Sequence, residues 1–460
     1  MASRYANFLT SKLAALAIFA VAACSANAVV GQVVGGTGAV LAVGVVGGVA
    51  IDAESVLSRA SQRIDSATAK EISNSLRGAD TNIDRVSKLR MVSLKSLDRE
   101  IKSCIKEGKQ IPVEVQFMAG LQRVEFLIVD AENNDLILAG PGEGLTTDAF
   151  GNVVGAKSGT PAIHLEDFLT AMRSADEARS GQGISVSMNP TPEGVRNLQA
   201  YYDKFQFSPQ RVEQIQQAMG EHTIALTGVP KDSRYSQVLV AADHRMKRLA
   251  MGLDQSNARN MPSILEMAEK SGASRMRGAP RMWMECNYQP VATDEAETIY
   301  ELRGQGIKTL TENAMFNQEG QAKVVKKQNK FAEKWADNLT KRFEEVSQAE
   351  PVFRDLRNLM DLSVISAIIS KNRMLDKMGL EIDAITGDAV QMPSRPVPSS
   401  VPTACSFVNI KGNYVVTASG GVQVDSWAVA GNTEIDTELV KKSAVALAAK
   451  DGDSWWWNAN

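Results

Sequence analysis

Residues 121–139 read LQRVEFLIVDAENNDLILA. The runs 121–130 and 136–139 are rich in aliphatic side chains, and the polar residues Ala131, Glu132, Asn133, Asn134 and Asp135 separate them. Two such runs joined by a short polar turn predict an antiparallel β-hairpin. Strand signals recur at 183–189 (GISVSMN), at 222–227 (HTIALT), and at 282–288 and 298–303, which read as a pair. Helical patterns lie between them, at 164–175, 191–202, 208–219 and 236–251; in the last, Leu239, Ala242, Met246 and Leu249 share one face. Hairpins alternating with helices differ from the strand–helix–strand rhythm of a doubly wound sheet, so residues 109–320 predict an α+β core.

Upstream, residues 53–108 read as helical arms. Leu57, Ala60, Ile64 and Ala67 step by three or four, as do Ile83, Val86 and Leu89, and then Leu94, Leu97, Ile101 and Ile105. Gly78 and the Asp80-Thr81-Asn82 cluster divide the arms. Downstream, a helical segment covers 321–390, with Phe331, Trp335, Leu339 and Phe343 four residues apart and Pro351 as an interruption. Pro393, Pro396, Pro398 and Pro402 mark a linker over 391–404. Residues 405–450 then predict a small hairpin-plus-helix module, with strands at 406–416 and 422–430 and a helix at 435–450. The tail, 451–460, contains Trp455-Trp456-Trp457. That triplet suits insertion at a membrane interface, docking in a groove of this protein or a partner, or a disordered end.

The N-terminus reads as an export signal. Arg4 and Lys12 precede an apolar run at 13–23, and Ala26 and Ala28 are the small residues of a cleavage site. Val21-Ala22-Ala23-Cys24 also fits a lipoprotein box that would leave Cys24 as an acylated N-terminus. Cleavage after Ala28 is the working expectation, because a small-residue site follows the box so closely. Residues 29–52 continue as a Val/Gly-rich uncharged segment. Its Gly31/Gly35 and Gly44/Gly48 spacings suit close packing of membrane helices. Its seven glycines between 29 and 51 argue instead for an extended chain. Membrane association could therefore run through Cys24, the 29–51 segment or the Trp455–Trp457 tail. Export places the protein in the periplasm, the cell envelope or outside the cell.

Fifty Lys and Arg against 53 Asp and Glu leave a net charge of -3, which argues against a general nucleic-acid partner. Cys104, Cys286 and Cys405 are each more than a hundred residues apart and form no CxxC, so they predict buried thiols rather than a disulfide framework or a zinc site. No HxxH or HExxH is present, and no motif calls for a cofactor or metal.

His164, Glu166 and Asp167 form the densest His/carboxylate cluster and are the catalytic candidates, a base beside two acids. The competing reading places both carboxylates in a helix first turn, where negative charge suits the dipole. Arg234, Asp243, His244, Arg245 and Arg248 are the binding candidates, suited to an acidic partner. A solvated or salt-bridged helix face explains them as well.

Several segments carry a family resemblance. They are AGLQRVEFLIVDAENNDLILAGPGEG (119–144), NPTPEGVRNLQAYYD (189–203), GVPKDSRYSQVLVAADHRMKRLAMG (228–252), RGQGIKTLTEN (303–313) and TASGGVQVD (417–425). They resemble an uncharacterised family of exported, planctomycete-type bacterial proteins labelled only as a domain of unknown function. The resemblance implies export and assigns no activity. The sequence therefore predicts an exported protein that binds a protein or envelope partner, with an extracytoplasmic hydrolase as the alternative.

Overall fold

The stretch that opens the sequence reading folds as a hairpin of strands Phe126–Asp130 and Asp135–Gly142, paired from Phe126↔Ala139 to Asp130↔Asp135. Its turn is set locally. The Asp130 carboxylate accepts from the backbone and side-chain nitrogens of Asn133, and Asn134 takes the left-handed conformation at φ 52°.

The computed structural model describes residues 45–46, 49–51, 57–59, 81–180, 183–206, 208–272, 279–316, 322–325, 329–409, 413–416, 418–450 and 454–459. The export signal, most of the Val/Gly segment and most of the first helical arm lie outside these residues. Val45–Val46, Val49–Ile51 and Leu57–Arg59 form a small antiparallel sheet, so Leu57 sits in a strand rather than a helix.

Two seven-stranded mixed sheets and the helices between them make the α+β fold. In chain order the strands are β1 (Ser87–Ser93), β2 (Phe126–Asp130), β3 (Asp135–Gly142), β4 (Ile184–Pro190), β5 (Glu221–Thr227), β6 (Ala279–Asn287) and β7 (Val291–Thr293). They continue as β8 (Ile299–Glu301), β9 (Gly306–Phe316), β10 (Ala322–Val325), β11 (Ser400–Pro402), β12 (Ser419–Val424), β13 (Thr433–Ile435) and β14 (Trp456–Ala459). The first sheet runs β10-β9-β6-β12-β4-β5-β11, and the second β13-β7-β8-β2-β3-β1-β14. Five helices position the candidate site and its surroundings: α1 (Leu94–Lys106), α2 (Leu165–Ser180), α3 (Arg234–Met251), α4 (Val352–Lys371) and α5 (Leu439–Ala448).

Both sheets turn apolar side chains into one core. Val186, Met282 and Val422 of the first sheet and Val92, Leu127 and Leu138 of the second join the buried faces of α3 and α4 in a single cluster. The second sheet is apolar on its other face too. There Met91, Ile128, Ile137 and Ile299 pack against Leu439 and Ala446 of α5 and against Trp457. Cys104, Cys286 and Cys405 are free thiols.

Four expectations are corrected. Residues 87–93, read as part of a helical arm, form β1, and only 94–106 is helical. Of Ile83, Val86 and Leu89 only Leu89 falls within the strand, and pairing with the distant β3 and β14 decides the outcome. Second, β6 pairs with β9, whereas residues 299–301 join β7 and β2. Third, residues 405–450 do not stand apart as a module. The local hairpin is Ser406–Asn409 with Asn413–Val416, while β12 lies between β6 and β4, parallel to β6. A strand inserted at the centre of a sheet by long-range pairing has no turn signal to announce it. Gly420 permits the insertion, since a Cβ there would lie 1.8 Å from the Met282 carbonyl oxygen. Fourth, α5 is shorter than predicted, and Thr433–Ile435 is strand β13.

The tryptophan tail docks on the protein itself. β14 closes the edge of the second sheet against β1. Trp456 and Trp457 are each 6% exposed, and Trp457 Nε1 donates to the Ala446 carbonyl at 3.3 Å. Arg90 anchors the strand. This fully buried guanidinium donates to Asn458 Oδ1 at 3.0 Å and to the carbonyls of Ala119, Glu143, Ile83 and Arg85, and stacks over Trp456. Trp457→Ala should therefore cost about 3–5 kcal/mol of stability, measured by urea denaturation. A loss under about 1 kcal/mol would contradict this docking.

Candidate functional site

Three helix starts meet at one arginine. Ser233 caps α3 by accepting from the Ser236 backbone, which fixes Arg234 as the first helical residue. The Arg234 guanidinium reaches two carboxylates. Nη1 donates to Asp167 Oδ2 in the first turn of α2, and Nη2 donates to Asp355 Oδ1, 2.8 Å away, in the first turn of α4. Each carboxylate sits where the helix dipole favours it. All three side chains are at least nine-tenths buried.

The predicted triplet gathers around this bridge. His164 Nδ1 lies 3.8 Å from Glu166 Oε1, and its ring meets Phe117 edge-on at 4.7 Å. Burial, and then the nearby Arg234 charge, lower the His164 imidazole to about 4. Burial works against the Glu166 charge, but His164, Arg395 and Arg234 overcome it and hold the carboxyl near 2. Arg395 Nε approaches Glu166 Oε2 at 3.4 Å. Asp167 goes the other way. Burial, with Glu166 and Asp355 close by, raises its carboxyl to about 7 against the pull of Arg234. Its Oδ1 finds no hydrogen-bond partner among the described residues. A polar cleft of about 200 Å³ adjoins the cluster, lined by Glu166, Arg173, Asp232, Arg234, Asp388 and Ser394 among others.

The structure thus brings together His164, Glu166, Asp167 and Arg234, which the sequence assigned to separate candidate groups. The remaining binding candidates lie on α3 about 14–21 Å along its axis from Arg234. Asp243 pairs with Lys247 at 2.7 Å, and Lys247 Nζ also reaches the Met188 and Gly420 carbonyls. This pair is buried rather than a solvated surface pair. Burial, helped by the cations Arg248 and Lys247, lowers His244 to about 3. Arg245 joins Glu350 and Asp254, and Arg248 holds Asp254 at 2.9 Å. The salt-bridged helix face is therefore the reading that holds for Arg245 and Arg248. His222 points inward from β5, and burial lowers it to about 4. Among the described residues no cluster of His, Cys, Asp and Glu could hold a metal ion.

Sequence reasoning missed Asp355 and Arg395. A signal for the first existed: α4 is apolar for most of its length yet carries Asp355, Arg357, Asn358 and Asp361. A charge inside a buried helix demands a partner. Asp361 has one in Arg123 at 2.9 Å and another in Tyr288 at 2.6 Å.

Residues 186–264 match a family model described as "Protein of unknown function (DUF1598)". That domain runs from β4 through α3 to Ile264, so it contains Arg234 and its α3 neighbours but neither Asp167 nor Asp355. No curated protein and no solved structure matches the chain.

Two outcomes follow from the bridge. Arg234→Met leaves Asp167 and Asp355 buried without their cation, so it should cost about 3–5 kcal/mol near pH 7.5. The cost should shrink near pH 5, where the raised Asp167 carboxyl is protonated in the fold. Urea denaturation at both pH values checks this, and an equal loss at both would contradict it. In the wild type, Asp167 holds its proton more tightly folded than unfolded, so from about pH 4 to about 7 this group lowers stability as pH rises. Asp167→Asn should flatten that part of the stability–pH curve.

Proposed function

We propose that the protein is an exported component of the cell envelope or periplasm that acts by binding a partner rather than by catalysis. One observation carries the second half of this reading. The side chains best placed by sequence for acid–base or anion chemistry are bound to one another across three helix starts, with Arg234 donating to Asp167 and Asp355 and Arg395 beside Glu166. Groups paired in this way hold elements together and have less capacity left for a substrate. The apolar run at 13–23 with its small-residue site at Ala26 and Ala28 supports export. Among the described residues no helix is long and apolar enough to cross a membrane. Attachment would therefore depend on Cys24 or the 29–51 segment, since Trp456 and Trp457 are packed inside.

A specific feature favours the alternative, an extracytoplasmic hydrolase. Asp167 titrates near 7 with an unpartnered Oδ1, and a protonated carboxyl at neutral pH is what a general acid requires. Screening the mature protein against panels of esters, peptides and glycans separates the two. The binding role predicts no turnover that depends on a single side chain. Turnover abolished by Asp167→Asn or Glu166→Gln, with the fold retained, would establish the hydrolase instead. For export, intact mass of the protein purified from native envelopes should give an N-terminus at Val29. An acylated Cys24 would replace simple cleavage with a lipid anchor, and an uncleaved Met1 in the cytoplasmic fraction would remove the export reading.

A further inference from the structure

The first sheet is covered by α3 on one face, and its other face is built differently from the rest of the molecule. Along β4, Ile184, Val186 and Met188 are buried, so Ser185, Ser187 and Asn189 point the opposite way. Along β5, Glu221, Thr223, Ala225 and Thr227 are all exposed. The registers of the central strands align these outward positions in rows. One row reads Leu310, Trp283, Gly421, Ser187, Ala225 across β9, β6, β12, β4 and β5. The next reads Lys308, Glu285, Gln423, Ser185, Thr227.

The first row makes a trough with an aromatic wall. Gly421 has no side chain to raise the floor, and it could not carry one, because a Cβ there would fall 1.8 Å from the Val186 carbonyl oxygen. Ser187 and Ala225 continue the floor with small side chains. From Trp283 to Ala225 the row crosses three strand spacings, about 14 Å. A depression of about 280 Å³ lies over the Trp283–Gly421–Ser187 part of this floor, lined also by Ser185, Gln423 and Arg281 among others. Trp283 is partly exposed and belongs to no buried core cluster.

The charges around the trough cancel. Arg281 pairs with Glu312 at 2.5 Å and Lys308 with Glu285 at 2.8 Å, two cations against two anions. What remains available is a hydroxyl and amide surface: Ser185, Ser187, Thr227 and Gln423, with Ser185 Oγ and Thr227 Oγ1 2.9 Å apart. Hydroxyl and amide groups both donate and accept. A ligand that matches must be uncharged, rich in groups that donate and accept, flat enough for a sheet, and apolar on the face that meets an indole. A β-linked pyranose chain has these properties together. Its rings present C–H faces to an aromatic plane and hydroxyls along both edges, and the chain extends as a flat ribbon.

We propose that this face binds a neutral β-linked glycan, with Trp283 as the stacking platform and the Gly421–Ser187–Ala225 floor as the seat of the neighbouring sugars. The proposal rests on the binding role above and names the ligand class. Ser187, Ala225 and the exposed half of β5 lie within the matched 186–264 domain, so the site combines that domain with Trp283 and Gly421 from outside it.

The test is calorimetric titration of the mature protein with cellohexaose and with chitohexaose, beside a hexagalacturonate and a neutral serine/glycine-rich peptide. At least one neutral hexasaccharide should bind. Trp283→Ala should weaken it at least about tenfold, Trp283→Phe should recover part of the loss, and Ser187→Phe, which fills the floor, should abolish binding. Thermal melts should show all three variants folded, as expected for changes on a solvent face. Binding of neither neutral hexasaccharide, binding that ignores both Trp283→Ala and Ser187→Phe, or Trp283-dependent binding of the galacturonate or the peptide alone would overturn the proposal. Those results would leave the binding role itself standing. Single-residue turnover in the substrate screen would remove that role, so the two failures are distinguishable.

Discussion

The buried fork of Arg234 is the constraint on which the helix layer depends. One guanidinium satisfies a carboxylate at the start of α2 and another at the start of α4, while its own helix, α3, begins at the same point. Removing three such groups from water costs several kcal/mol each unless their hydrogen bonds are met. The geometry is therefore strongly determined: α2, α3 and α4 must enter the core at one place. With those entries fixed, α3 lies on the first sheet and α4 packs against α2 and α3. The same rule governs Asp243–Lys247, Arg245–Glu350 and Arg123–Asp361, each a buried pair that ties one element to itself or to a distant one. The core is apolar in area and ionic at its junctions.

Much of the central architecture was legible in the residues. The 121–139 hairpin, the strands at 184–190 and 221–227, and the helix over 234–251 follow local rules of periodicity, turn chemistry and capping. The positions that escaped share a physical cause. β1, β12 and β14 exist because of partners far away in sequence, and a short apolar run does not by itself distinguish a buried strand from a segment of buried helix. The tail was ambiguous for the same reason, since three tryptophans state only that an apolar surface must be found. Trp457 finds it on the outer face of the second sheet beside α5, while Trp456 joins the main core and Trp455 packs against it.

The site was partly legible. Glu166 and Asp167 stood out as carboxylates next to a histidine, and Arg234 as a cation at a helix start, but nothing in the spacing of 67 residues joins Asp167 to Arg234. Long-range ion pairs need both partners on adjacent elements, and sequence separation carries no information about that. The trough on the first sheet was less visible still. Trp283, Gly421 and Ser187 come from three separated segments and become one surface only through register. The ionic junction ties the helix starts together, whereas Trp283 on the first sheet stays partly exposed.

The claim that the Arg234 cluster holds the fold is tested most directly by a double-mutant cycle. Unfolding free energies of the wild type, Asp167→Asn, Arg234→Met and the double variant give the coupling between the two side chains independently of each single loss. A structural junction predicts a coupling of about 2–3 kcal/mol. A coupling below about 0.5 kcal/mol would mean that the pair contributes little to holding α2 and α3 together, and would return both residues to the pool available for chemistry.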